Sequence, residues 1–295
     1  MKTLTVGIFG NKDFVRELAK ESTINDIGIY HHSDSNHSFT FVRSESEKIQ
    51  SLLQTLQMTE VPLLIISEMT PQIGEEIVGI NEMNFKNGIV ILDNFPEDQY
   101  KKLISGTCLE NFKIIEKSVS KIYEELESIN IERSDKLISP IDNFFAVKGV
   151  GNVILSIIKS GNLKKYDKLF LEPIEKEVTV KSIQIQDKTF DEAGPGSRVG
   201  LCLKGVDIKD MKRGQILSEV KQEKTKLLSS FEKNKFYKTE LKESEQVIVS
   251  SGLQCVTGFI KNNTIELDKE IVAQKPIIIA STKQESLRII GNGKN

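Results

Sequence analysis

Hydrophobic and polar positions follow different periods in the two halves of the chain. In the first half, continuous apolar runs predict buried strands, and apolar residues three or four positions apart predict amphipathic helices between them. The predicted strands are residues 1–10, 39–42, Val61–Ile66 and Gly88–Leu92, and the predicted helices are residues 13–21, 45–58, 70 onward, 96–104 and 118–126. Strands that alternate with helices indicate βαβ units around a mainly parallel sheet, so we expect an α/β domain at residues 1–133.

The starts of two of these helices carry specific signals. Asp13 is expected to cap the first helix, whose inner face would hold Phe14, Leu18 and Ala19. Thr70, which precedes a proline, is typical of an N-cap residue at the start of a helix.

From Ile141 onward the helical period disappears, and short apolar strands follow one another about every 8–12 residues. The apolar run Ala146–Leu155 is interrupted by Gly149 and Gly151, and glycines in such runs mark the tight corners and bulges of a small barrel. We therefore predict a β-barrel at residues 140–220 and a second, smaller barrel at residues 225–295. The remaining expectations are a polar linker at 131–140, a charged connector at Lys221–Lys226 and a last apolar strand at Pro276–Ala280.

Composition indicates in which cellular compartment the protein is expected. No apolar run approaches the roughly 18 residues of a membrane-spanning helix, and Met1–Val6 carries one positive charge followed by a strand pattern rather than a secretion signal. The three cysteines, Cys108, Cys202 and Cys255, are far apart and odd in number. This argues for a reducing compartment and against a disulfide framework or a cysteine zinc site. We expect a cytoplasmic protein without a membrane partner.

The net charge of −2 conceals an uneven distribution. Residues 1–139 hold 14 basic and 22 acidic residues, whereas residues 140–295 hold 26 basic and 20 acidic residues. A positive half is compatible with a nucleic-acid partner, and a solvated surface with a chance bias explains the same counts. The candidates for contact with RNA phosphates are the basic residues of the predicted barrel turns: Lys148, Lys164, Lys165, Arg198, Lys212 and Arg213. The alternative for each of them is an ordinary surface residue without a ligand.

A series of motifs runs through the first predicted barrel. It comprises Phe145, Val147–Gly151, Val153, Gly161, Asp167, Leu169, Pro173, Val180–Gln184, Ala193–Gly200 and Arg213–Leu217. In this order the motifs resemble the second domain of translational elongation factors of the Tu type, and they look closest to the SelB branch, the selenocysteine-specific factors. The third domain resembles the family more weakly, through Phe236–Val256, and the first domain resembles it only in layout.

The resemblance implies an elongation factor Tu-like plan, in which a P-loop-GTPase-like α/β domain with a parallel sheet is followed by two β-barrel domains. It also implies a first domain that binds GTP with magnesium. The family uses its barrels to contact the acceptor end of aminoacyl-tRNA and the ribosome.

The family's phosphate loop has the form G-H-x-D-x-G-K-[ST], and the aligned segment here departs from it. The segment is Gly10-Asn11-Lys12-Asp13-Phe14-Val15-Arg16-Glu17. Val15 replaces the second glycine, whose unusual dihedral angles let backbone amides curl around phosphate. Arg16 replaces the compact ammonium of lysine, and Glu17 replaces the hydroxyl that would hold magnesium. Glu17 is also an ordinary residue for the first turn of a helix.

Two further nucleotide motifs of the family are missing. The magnesium-side D-x-x-G needs an aspartate, and the chain has none between Asp34 and Asp93. The guanine-reading [NT]-K-x-D is expected after the strand Gly88–Leu92, where the chain has Asp93-Asn94-Phe95-Pro96. Cradling phosphate, binding magnesium and recognising the base are separate tasks. Their combined loss predicts a pseudo-GTPase domain with no catalytic residue and no cofactor, in which Gly10, Lys12 and Asp13 are what remains of the cradle.

Other clusters of chemically active residues have simple interpretations. The three histidines, His31, His32 and His37, are close in sequence but have no nearby cysteine, so we expect an exposed loop and no metal site. The carboxylate pairs Glu75-Glu76 and Glu124-Glu125 lie on predicted amphipathic helices, where solvated faces are the expected environment.

Three functional hypotheses remain. The first is a translation-associated binding protein that has lost GTP binding and hydrolysis, more a binding protein than an enzyme, whose barrels bind RNA (tRNA or ribosomal) or a translation-factor protein, with no DNA partner. The second is a divergent GTPase that delivers aminoacyl-tRNA and uses GTP and magnesium. The third is a scaffold partner of an active elongation factor. If nucleotide coupling is lost, the domains are expected to keep one relative orientation.

Overall fold

A computed structural model describes residues 2–283 and 287–295. Residues 2–115 form a seven-stranded sheet in the order β2-β3-β4-β1-β5-β6-β7. Its strands are β1 (Lys2–Gly10), β2 (Lys20–Ile24), β3 (Ile27–Ser33), β4 (His37–Ser44), β5 (Val61–Ile66), β6 (Ile89–Leu92) and β7 (Lys113–Ile115). The strands β4, β1, β5, β6 and β7 run parallel, and β2 and β3 extend the sheet as an antiparallel hairpin. The predicted mainly parallel sheet is confirmed.

Helices cover both faces of this sheet. Within the described residues they are α1 (Val15–Leu18), α2 (Ile49–Met58), α3 (Pro71–Met83), α4 (Glu97–Leu103) and α5 (Val119–Ser128). Helices α2, α3 and α4 pack on one face through one apolar core, and α1 and α5 pack on the other face through a second core. The predicted cap of α3 is confirmed, because the Thr70 hydroxyl oxygen accepts a hydrogen bond from the Ile73 amide at 3.2 Å.

The prediction of a helix at residues 13–21 is right in place and wrong in length, because α1 covers only Val15–Leu18. A 3₁₀ turn at Lys12–Phe14 leads into the single turn of α1, and Ala19 is already extended. Asp13 caps no helix, since its side chain accepts no capping hydrogen bond and instead faces Arg43. The helix is short because residues 20–33 form the hairpin of β2 and β3. The sequence did not predict this hairpin, since β2 is too polar to give an apolar strand pattern.

Residues 138–218 form a closed barrel of six antiparallel strands. The barrel is closed because β11 pairs with both β16 and β12, in the circular order β11-β16-β8-β9-β15-β12. Its strands and short accessory strands are β8 (Ile138–Val147), β9 (Gly151–Ile157), β10 (Leu163–Lys164), β11 (Lys168–Glu172), β12 (Lys176–Ile185), β13 (Lys188–Phe190), β14 (Glu192–Ala193), β15 (Arg198–Lys204) and β16 (Ile216–Ser218). The corner expected within Ala146–Leu155 is confirmed: Gly149 and Gly151 have φ of +81° and +123° between β8 and β9.

Residues 224–283 and 287–294 form a third sheet of seven antiparallel strands, in the order β17-β21-β20-β19-β22-β23-β18. The strands are β17 (Lys224–Leu228), β18 (Ser230–Lys233), β19 (Gln246–Ser251), β20 (Gln254–Lys261), β21 (Thr264–Val272), β22 (Ile277–Ser281) and β23 (Ile289–Lys294). The connector predicted at Lys221–Lys226 is partly wrong, because β17 begins within it as a charged edge strand. The strand at Pro276–Ala280 is not the last one, since β23 follows with too many glycine and polar residues to give an apolar run.

The first and third sheets share one apolar core. Ile248, Ile278, Ala280 and Ile289 of the third sheet are buried in the same cluster as the side chains of α2 and α3. Each of the two sheets also meets the barrel in a smaller cluster that includes Ile157. The division of the chain at 133–140 and 220–225 stays a prediction, whereas the packing puts all three parts in direct contact. Among the described residues, no helix is long and apolar enough to cross a membrane.

Candidate functional site

The segment aligned with the phosphate loop lies at the carboxyl end of β1. In parallel α/β sheets, ligands bind beyond the carboxyl ends of the strands. Here Gly10–Asp13, the end of β4 at Arg43–Glu45 and the start of α3 surround an open depression of about 480 Å³. This is the position in which a nucleotide phosphate would be expected.

A carboxylate of the protein itself binds the groups of this loop that could otherwise hold a phosphate. Glu76 of α3 is only 3% exposed, and its Oε1 lies 2.8 Å from the ammonium nitrogen of Lys12. Its Oε2 accepts a hydrogen bond from the Gly10 amide at 2.7 Å. Burial raises the pKa of Glu76, and the Lys12 ammonium and the Gly10 amide act in the opposite direction by favouring the charged form. The loop therefore binds a carboxyl group of the protein itself.

Gly10 is required by the packing of the backbone. Its φ of +74° lies in the left-handed region, and a Cβ at this position would meet the Ile65 carbonyl oxygen at 1.9 Å. The Asn11 amide then donates to the same carbonyl at 2.9 Å. The close contact with β5 explains this glycine without any bound phosphate.

Arg43 fixes the other side of the loop. Its guanidinium donates to the Lys12 carbonyl at 2.7 Å and to the Asp13 carboxylate at 3.2 Å, and it pairs with Glu45 at 2.6 Å. The side chains that line the depression include four acidic groups and two basic groups: Asp13, Glu45, Glu68 and Glu76 against Lys12 and Arg43. This charge balance is unfavourable for a polyphosphate.

The remaining positions of the aligned segment face away from the depression or into the core. Val15, which stands at the second glycine of the family motif, is fully buried in the apolar core under the sheet. Arg16 and Glu17 are exposed on the short α1, and Arg16 lies 3.9 Å from Asp13. These side chains have ordinary structural environments.

The prediction that Glu75 and Glu76 form a solvated face is wrong. Both are buried: Glu75 lies against the third sheet, and Glu76 lies against the end of β1. Glu75 accepts hydrogen bonds from the Arg288 amide at 2.7 Å and from the Arg288 Nε at 3.0 Å. Nothing in the local sequence gives this environment, because Arg288, the partner of Glu75, lies over 200 residues away, and Gly10 and Lys12, the partners of Glu76, belong to a different element. Glu124 is exposed, in agreement with the prediction, and its neighbour Glu125 pairs with Lys113.

The histidines lie on strands, so the prediction of an exposed loop is wrong. His31 and His32 belong to β3, and His37 begins β4. The His32 ring stacks on Tyr123 with 4.4 Å between ring centroids. The three residues were missed as strands because they are polar on both faces of a hairpin at the sheet edge. Among residues 2–283 and 287–295, no group of three or more potential ligands could hold a metal ion, and the absence of a metal site stays a prediction.

The predicted phosphate contacts fall into two groups. Lys148, Lys164 and Lys212 are exposed, and Lys165 is half-buried beside Lys164. The other two lie in ion pairs: Arg198 is 2.6 Å from Asp142, and Arg213 is 2.7 Å from Asp26 of the first sheet. Their role in binding RNA stays a prediction for all six.

A cleft that the sequence did not predict lies between the barrel and the edge hairpin of the first sheet. Its volume is about 490 Å³, and its lining includes His31, Phe145, Val147, Val150 and Arg198. Phe145 and Val150 are 42% and 47% exposed, which is high for side chains of this kind. The available signal was the run around Ala146, where apolar residues occupy both faces of a strand and its turn. Such a strand cannot bury every apolar side chain inside a barrel.

Known proteins match both the barrel and the chain as a whole. Residues 151–218 match the family model of elongation factor Tu domain 2. The chain is 34% identical over 309 residues to an uncharacterized protein of Methanocaldococcus jannaschii, with both chains covered in full. It is 28% identical to the selenocysteine-specific elongation factor of the same organism, over 96% of this chain and 71% of that one.

Solved structures show the same fold. The elongation factor SelB of Methanococcus maripaludis, in complex with the GTP analogue GppNHp, superposes with a TM-score of 0.82 at 23% identity, over 99% of this chain and 78% of that one. A bacterial selenocysteine-specific elongation factor superposes with a TM-score of 0.81 at 21% identity, over 100% of this chain and 58% of that one. By its motifs and its relatives, the chain belongs to the SelB-type family of elongation factor-like proteins, and its fold is that of the solved members.

Proposed function

We propose that the protein is a translation-associated RNA-binding factor that works without GTP. Its first domain, at residues 1–133, would have a P-loop-GTPase-like fold that neither binds nor hydrolyses nucleotide. Its barrel domain, at residues 140–220, would bind tRNA or ribosomal RNA, and the domain at residues 225–295 would support it. A relative that is a selenocysteine-specific elongation factor supports the link to translation.

The proposed loss of nucleotide binding rests mainly on one observation, the buried carboxylate of Glu76. A phosphate at this position would need the Gly10 amide and the Lys12 ammonium, and both already hold Glu76. Displacing Glu76 would leave a buried carboxylate without its partners beside a second anion, which is strongly unfavourable. Neither GTP nor magnesium is therefore a cofactor in this proposal.

The cleft beside the barrel supports RNA binding. Unpaired RNA bases bind to proteins by stacking on exposed aromatic rings, with nearby lysines on the phosphates. Phe145 and Val150 supply the apolar wall, and Lys148 is exposed on the turn that also carries Val150. The single-stranded acceptor end of a tRNA has the matching chemistry.

Fluorescence anisotropy with labelled tRNA at two salt concentrations tests this proposal. Phe145→Ala is expected to weaken binding by about 5- to 100-fold, as for loss of one stacking contact. Lys148→Ala is expected to weaken binding and to reduce its salt dependence. Phe259→Ala, which removes an exposed ring from the third sheet, is the matched control and should bind as the original protein does.

The tRNA itself provides a second control. Removal of its unpaired 3′ end should weaken binding to the original protein and have little further effect on the Phe145→Ala variant. Absence of tRNA and ribosomal RNA binding even at low salt would contradict the proposed function. Equal binding of intact and trimmed tRNA would contradict the assignment of the cleft.

A further inference from the structure

Tyr166 combines high exposure with an unfavourable backbone conformation. It lies in the turn between β10 and β11, its side chain is 69% exposed and its φ is +72°. Bulky side chains rarely adopt a positive φ, whereas glycine does so at no steric cost. A tyrosine at this position therefore costs conformational energy and buries little apolar surface in return.

The shape of the turn is set by backbone contacts and by Asp167. The Tyr166 amide donates to the Val180 carbonyl at 2.8 Å, and the Lys165 amide donates to the Asp191 carbonyl at 2.8 Å. The Lys164 amide donates to the Asp167 carboxylate at 2.7 Å. A glycine at position 166 would preserve all three hydrogen bonds, so the ring is not needed to form the turn.

The ring is held in a setting that suits a nucleic-acid base. The Lys165 ammonium lies 5.0 Å from the Tyr166 ring centroid, a cation–π contact that covers one side of the ring. Lys164 and Lys168 are exposed on either side of the turn. An exposed aromatic ring among lysines is the usual arrangement for stacking an unpaired base and contacting its phosphate.

Neighbouring acids limit the extent of this surface. Asp191 and Glu192 are exposed on the adjacent strand segment, and Phe190, which is also exposed, precedes them. The positive charge of the lysines is therefore partly neutralised, which disfavours the binding of a long stretch of phosphate backbone. The arrangement favours one or two unpaired bases on the rings over a duplex lying across the barrel.

We propose that Tyr166 is a stacking residue for an unpaired base of a bound RNA. This inference rests on the proposed function and adds a second contact on the barrel, built by the turn of Lys164–Asp167 rather than by the cleft. It also accounts for the conformational cost at position 166, since strained backbone persists where function requires it.

The experiment compares Tyr166→Gly, Tyr166→Asn and Tyr166→Phe in anisotropy titrations with labelled tRNA and with labelled oligoadenylate. Glycine and asparagine both tolerate the positive φ and remove the ring, so their melting temperature should be unchanged or higher. Their affinity for RNA should fall at least about fivefold, and Tyr166→Phe should retain it. Asn262→Gly, at an exposed turn with φ of +55° in the third sheet, controls for the backbone effect.

The outcomes separate this inference from the proposed function. If the original protein binds RNA and the glycine variant binds equally well, the inference is wrong and the proposed function stands, with Tyr166 left to contact a protein. If the original protein binds neither tRNA nor oligoadenylate, the result contradicts the proposed function, and the inference that rests on it falls as well. Loss of affinity in the ring-free variants, with unchanged melting temperature, supports the inference.

Discussion

The carboxylate of Glu76 and the backbone amide of Gly10 are joined by a hydrogen bond of 2.7 Å across the end of the parallel sheet. The bond ties α3 to the loop after β1, in the place where a nucleotide-binding relative would need free amides. The next residue towards the N-terminus, Glu75, binds Arg288 of the third sheet. Two adjacent acids thus connect the loop, the helix and the third sheet.

Replacement of Glu76 by alanine is expected to destabilise the protein. The change leaves the Gly10 amide and the partly buried Lys12 ammonium without their partner. We expect a loss of about 2–3 kcal/mol in the free energy of unfolding, measured by urea denaturation. Glu124→Ala, at an exposed position of α5, should change the same quantity by less than about 0.5 kcal/mol. Equal losses in the two variants would contradict the structural role of Glu76.

The pair of Glu75 and Arg288 is expected to couple the first and third sheets energetically. A double-mutant cycle with Glu75→Gln and Arg288→Ala should give an interaction energy of about 1–3 kcal/mol, because both side chains are mostly buried. The exposed pair of Lys86 and Glu132, 3.2 Å apart, is the control and should give less than about 1 kcal/mol. A coupling for Glu75 and Arg288 no larger than that of the control would contradict a role of this pair in holding the third sheet in place.

Stability should fall in mild acid because of His31. Burial lowers the pKa of His31 below 6.5, and the positive charges of His32 and Arg198 lower it further. The folded state then binds fewer protons than the unfolded state between the lowered pKa and 6.5, so stability rises with pH through that window and is lost on acidification. Unfolding measured between about pH 5 and about pH 7.5 should show a weaker pH dependence for His31→Gln than for the original protein. Parallel curves for the two proteins would contradict this assignment.

The parts of the fold that sequence predicted well depend on local patterns. Val61–Ile66 is buried on both faces, so its apolar run alone identified β5. Thr70 before Pro71 fixed the start of α3, because capping is decided by neighbouring residues. Gly149 and Gly151 marked the corner between β8 and β9, because a positive φ there favours glycine.

The parts that sequence could not predict depend on distant contacts. The environment of Glu76 is set by Gly10 and Lys12, and that of Glu75 is set by Arg288. Helix periodicity alone assigns such residues to solvent, since it carries no information on what packs against the outer face. In the same way, nothing local distinguishes Arg198 and Arg213, which are held in ion pairs, from Lys148, which is free to face solvent. The sequence alone showed that the second glycine and the aspartate of the family motifs are missing, but it did not show which carboxylate binds the loop.

Isothermal titration of the purified protein with GTP and GDP, in the presence of magnesium, tests the central claim most directly. A SelB-type factor with an intact phosphate loop serves as the positive control under the same conditions. Because Glu76 holds the Gly10 amide and the Lys12 ammonium, we predict no heat of binding for this protein up to millimolar nucleotide. Saturable binding with a micromolar Kd would contradict the account and would return the protein to the nucleotide-dependent factors of its family.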